Sequence, residues 1–81
     1  MIRQLTEHIV CDSEICHGQP TFKGTRILVK GVLEQLEAGW DWDKIIYAWD
    51  DKIDEAAIRE VIQLASGSFL RELETETAKA A

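Results

Sequence analysis

The sequence predicts a mainly α domain: three helices behind a short N-terminal β hairpin or strand segment. Three observations predict it. The first 28 residues hold short β-branched runs broken by glycine, proline and small polar residues. From Val29 the apolar residues change to helical spacing. Aspartates then stand where two further helices should start, at Asp41 and Asp54. With 81 residues the chain makes a single domain, 1–81, divided into a β segment (8–28), a three-helix bundle (29–73) and a tail (74–81) expected to fray. A chain of this length buries only about 60% of its unfolded surface, so its core is small.

Residues 1–7 read as a loosely ordered lead-in. His8 to Asp12, "HIVCD", has the β-branched centre of a strand. Asp12 and Ser13 then start a turn by bonding nearby amides. Gly18 is free to take positive φ, and Pro20 forces Gln19 to be extended. Thr21 and Phe22 read as a second strand and Thr25 to Ile27 as a third, with Gly24 turning between them. Val29, Val32, Leu33 and Leu36 form the apolar stripe of helix one, which Gly39 closes. Trp42, Ile45, Ile46 and Trp49 line helix two, about 42–49. Ile58, Val61, Ile62 and Ala65 line helix three, and Ser66 to Ser68 either end or kink it. The short turn between helices two and three suits a helix-turn-helix crossing or a plain three-helix cluster.

The net charge of −6 is unevenly placed. Residues 1–30 carry Arg3, Lys23, Arg26 and Lys30 against Glu7, Asp12 and Glu14, whereas residues 31–81 carry five cations against twelve acids. Nucleic acid repels an acidic surface, so only the front third offers it a face; the rest suits a basic protein partner or solubility. No apolar run reaches the roughly 18 residues that span a bilayer, and the N-terminus lacks a signal core. No membrane partner is expected, and the expected location is cytoplasmic.

Catalysis needs a nucleophile, an acid–base pair or a metal on a rigid frame. Cys16 and His17 are adjacent, but sequence neighbours point apart and no third group orients them. His8, Cys11, Cys16 and His17 do not have the close pairing of a structural zinc site. Gly18 and Gly24 are one residue too far apart for a phosphate loop, and Thr25 stands where lysine is needed. The expectation is no enzyme, no metal and no cofactor. Trp40, Trp42 and Trp49 sit among acids, so core packing is the expected role of Trp42 and Trp49, and Trp40 is expected at the junction of helices one and two or in a subunit contact. What remains is Lys23, Arg26 and Lys30, around the strand-to-helix junction. They read as ordinary edge-protecting cations, as phosphate contacts, or as partners of acids such as Glu34 and Glu37. A reading helix presents its N-terminal residues to bases, and helix three opens on Asp54 and Glu55. Any DNA contact is therefore expected from Lys23, Arg26 and Lys30. Short strands rarely stand alone, so Ile9, Val10, Cys11 and Phe22 are expected to pair between subunits.

The run from Asp12 to Ile46 carries a motif: Asp12, Ile15, Cys16, Gly18, Pro20, Phe22, Gly24, Thr25, Arg26, Ile27 and Val29, then Val32, Leu33, Gly39 and Ile45. It resembles the small prokaryotic proteins of domain of unknown function family 433, over residues 8 to about 65. Ser13 and Leu28 stand where that family has proline. The turn scaffold Gly18, Pro20, Gly24 and Thr25 belongs to its hallmark. The resemblance implies a helix-turn-helix-like (homeodomain-like) three-helix fold, a homodimer, and a role as a VapB-like antitoxin. Such antitoxins bind a PIN-type ribonuclease toxin and repress their own operon on DNA.

Overall fold

The computed structural model describes the backbone of residues 1–80 and the side chains of residues 1–73. Three strands open the chain: β1 (Ile2–Gln4), β2 (Ile9–Asp12) and β3 (Pro20–Phe22). Three helices follow: α1 (Val29–Glu37), α2 (Trp42–Ala48) and α3 (Glu55–Ala80). The strands form one antiparallel sheet in the order β1-β2-β3. The expected mainly α domain is thus a mixed one, three helices with a three-stranded sheet.

Two departures from expectation lie in the β segment. Residues 2–4 are not a loose lead-in; Arg3 pairs with Cys11 and Gln4 with Val10, which covers one edge of β2. Ile2 is two-thirds exposed, so this strand buries no apolar side chain that sequence patterning could register. Conversely, Thr25 to Ile27 form no strand. The Thr25 hydroxyl donates to the Phe22 carbonyl (2.8 Å) and accepts from the Ile27 amide (3.0 Å), closing a turn in place of a ladder. A single bridge, Thr21 to Leu28, is what remains of the third pairing.

The helix ends obey local chemistry. Asp41 Oδ1 accepts from the Lys44 amide (2.8 Å) and Asp54 Oδ1 from the Ala57 amide (2.9 Å), each cap contributing about 1 kcal/mol. Gly39 follows α1, and the Trp40 amide reaches back to the Gln35 carbonyl (3.1 Å). Ser66 to Ser68 neither end nor break α3, which continues to Ala80 across the segment 74–81 set aside as a tail. Its last residue, Ala81, lies outside the described residues. Among the described residues no helix is long and apolar enough to cross a membrane.

The core forms where the sheet meets all three helices. Ile9 and Phe22 come from the sheet, Val32 from α1, Ile45 from α2, and Ala57, Ile58 and Val61 from α3. Fully burying one such isoleucine or valine is worth about 2 kcal/mol. Trp42 and Trp49 pack against this cluster half-buried, and so does Trp40. The core also takes up the strand residues expected to pair between subunits. Ile9 is fully enclosed, Phe22 and Val10 are buried, and Cys11 is half-buried, all within one chain. β2 has a strand on each side, so it offers no edge to a twin.

Candidate functional site

The segment 18–28 folds as a scaffold. Cys16, His17 and Gly18 are all left-handed, with φ of 50°, 58° and 80°. Gln19 is then extended ahead of Pro20 (φ −69°, ψ 151°). Gly24 turns the chain at φ 79° and faces open space. The Cys16 thiol donates to the Arg26 carbonyl at 3.7 Å, tying the front of the scaffold to its back. These bonds set Lys23 and Arg26 along one wall of an open groove of about 1290 Å³.

The far wall comes from the end of α2. Asp50 and Asp51 take left-handed conformations, φ 54° and 57°, which aspartate tolerates better than most residues. The Asp51 amide bonds back to the Ile46 carbonyl (3.0 Å) and the Lys52 amide to Trp49 (3.1 Å). This tight reversal brings Trp49, Asp50 and Lys52 to the groove. The Trp49 indole is held by its Nε1–H, which donates to Gln35 Oε1 at 2.9 Å. Gly31 of α1 borders the ring: a β-carbon there would lie at an ordinary contact distance, 3.8 Å, from Trp49 Cζ2.

Of the three cations expected to act together, Lys23 and Arg26 line this groove and exposed Lys30 does not. Lys52 joins them, unanticipated, because nothing local connects it to Arg26 across 26 positions of sequence. Asp50 is the acid among the lining residues, against three cations. Arg26 makes no ion pair with Glu34 or Glu37 among the described residues. Trp49 is not purely a packing residue, since it also forms part of the groove. Trp40 and Trp42 are covered differently: Lys44 Nζ lies 4.2 Å above the Trp40 ring and the Arg59 guanidinium 5.9 Å above Trp42.

A second polar cluster joins the residue just before β2 to α3. Glu60 Oε1 accepts from the His8 amide (3.0 Å), and Glu60 Oε2 meets His8 Nδ1. Hydrogen bonding to Glu60 holds the His8 pKa above its ordinary value, against the opposing effect of burial. Burial pushes the Glu60 carboxyl up, but the Thr6 hydroxyl and the His8 amide and ring together leave it lowered. Thr6 Oγ1 is buried and lacks a hydrogen bond of good geometry, so its influence on Glu60 is one of proximity. Ligand-type atoms of Glu7, His8 and Glu60 lie within 4.8 Å of one another. Both Glu60 oxygens are nonetheless engaged by His8, so the cluster is a closed latch between sheet and helix.

The family model described as "Protein of unknown function (DUF433)" matches residues 9–65, which is most of the chain and includes both walls of the groove. Neither the curated proteins nor the solved structures gave a match.

Proposed function

We propose that this chain, which belongs to the DUF433 family, is a small nucleic-acid-binding regulatory protein of the antitoxin type its sequence resembles. One observation carries the proposal: Lys23 and Arg26 from one turn scaffold and Lys52 from just beyond the end of α2, in an acidic chain, line a single groove. The three cations outnumber Asp50, the acid among the lining residues, and like charges brought together repel one another unless an anion is bound between them. Phosphates of a nucleic acid backbone are such anions. The α2–α3 pair is taken in this reading as helix-turn-helix-like, with a difference in use. Exposed Asp54 and Glu55 open α3, so the groove, not the start of α3, is the binding face.

The test is a mobility-shift titration against DNA from the protein's own upstream region. Binding is expected at low salt. Its salt dependence should have a slope of about −2 to −3, one phosphate per groove cation. No retardation of the duplex or of either separated strand at micromolar protein would refute it.

A second reading, an acidic protein-interaction module without nucleic acid, is favoured by α3. Phe69, Leu70 and Leu73 are 60%, 57% and 42% exposed, and Ile62 is 38% exposed. Residues 31–81 hold twelve acids against five cations. An apolar stripe in that field suits a basic partner, such as a PIN-type ribonuclease toxin. Co-expression with the product of the adjoining open reading frame tests this; a protein that elutes alone counts against it.

A further inference from the structure

We infer that the groove seats an unpaired base on Trp49, so that the favoured ligand is a single strand and not a duplex. The inference rests on the nucleic-acid reading above and deepens it. The groove is not merely cationic. Its lining joins Lys23, Arg26 and Lys52 to an apolar floor of Trp49, Ile27 and Leu28.

A duplex presents sugars and phosphates outward and keeps its bases stacked inside. Such a ligand satisfies the cations and leaves the indole without a partner. A single strand supplies both contacts at once, phosphates for the rim and a free aromatic ring for the floor. A cavity of about 1290 Å³ exceeds the roughly 300–1,000 Å³ of ordinary small-molecule pockets. It therefore has room for a nucleotide and its neighbouring backbone.

Three further features single out Trp49. Lys44 and Arg59 already lie above the Trp40 and Trp42 rings, and no described cation lies above Trp49. The Trp49 ring is fixed in advance by its bond to Gln35, so little side-chain freedom is lost on stacking. Gly24 faces open space beside the two cations, so a sugar or phosphate can approach the backbone there.

The experiment is fluorescence anisotropy on the full chain at low salt with three labelled probes. They are an oligodeoxythymidylate, its duplex with oligodeoxyadenylate, and an abasic strand of equal length. The base-bearing strand is expected to bind roughly tenfold more tightly than either of the others, the contribution of one stacked base. Trp49→Leu should level the three probes. Lys52→Gln should weaken all three alike and flatten the salt dependence. Equal or tighter binding of the duplex, or of the abasic strand, overturns the stacked base and leaves the nucleic-acid reading intact. Failure of all three probes to bind overturns both. Should Trp49→Leu not fold, the abasic comparison decides on the unaltered protein.

Discussion

Both oxygens of the Glu60 carboxylate engage His8, 52 positions away in the chain. The consequence for stability follows from the two pKa directions. His8 is raised in the folded state, so its contribution is full below its ordinary 6.5 and lost as pH rises through the folded value. Glu60 is lowered, so its contribution is present above its ordinary 4.5 and lost as pH falls through the folded value. The latch is therefore strongest between about pH 4.5 and 6.5. Glu60→Gln is expected to cost about 1 kcal/mol within that window and less on either side, the pair being partly solvated. Thermal midpoints of both proteins across pH check this; a difference independent of pH would count against the charge pairing. No local signal could have disclosed the latch. His8 reads as a strand residue and Glu60 as one acid among many on a helix, and only the packing of α3 on the sheet makes them partners.

Among the elements, α1 carries the most testable feature. Gly31 lies inside this nine-residue helix, where glycine is less favourable than alanine by roughly 0.5–1 kcal/mol. A methyl group there would meet Trp49 at ordinary contact distance, 3.8 Å. Gly31→Ala is expected to stabilise the protein by about 0.5–1 kcal/mol in chemical denaturation. Gly31→Leu should fill the groove beside the indole and weaken oligonucleotide binding. Asp41→Ala removes the cap of α2 and should cost about 1 kcal/mol. The helices were legible because their signals are local: Asp41 and Asp54 at the starts, Gly39 after the first, apolar residues at spacings of three and four. The sheet was half legible. Ile9 and Val10 announce β2, whereas Arg3 and Gln4 of β1 pair through backbone alone. Half the groove was legible for the same reason. Lys23 and Arg26 share one scaffold, while Lys52 reaches them only after α2 reverses at Asp50 and Asp51.

On the scale of the whole molecule, α3 dominates. Its 26 residues make a rod of about 39 Å in a chain whose longest extent is 48 Å. Among the described residues, Val61 is its last fully buried one, and Leu64 is the last leucine packed against the core. Phe69, Leu70 and Leu73 lie beyond, without cover. With the strand residues enclosed, any self-association or protein capture is expected to use this stripe. Phe69→Glu should leave the circular dichroism and thermal midpoint nearly unchanged, because the side chain is 60% exposed. It should abolish assembly or partner binding in light scattering. An assembly that survives both Phe69→Glu and Leu73→Glu would place the contact elsewhere.

The bond between Trp49 and Gln35 also makes the protein its own optical probe. Indole emission responds to local polarity and to stacked rings. Phenylalanine at positions 40 and 42 would leave Trp49 as the single emitter, held rigid beside the groove. A ligand entering there would be seen without any attached label, and a ligand docking on α3 would leave the signal still.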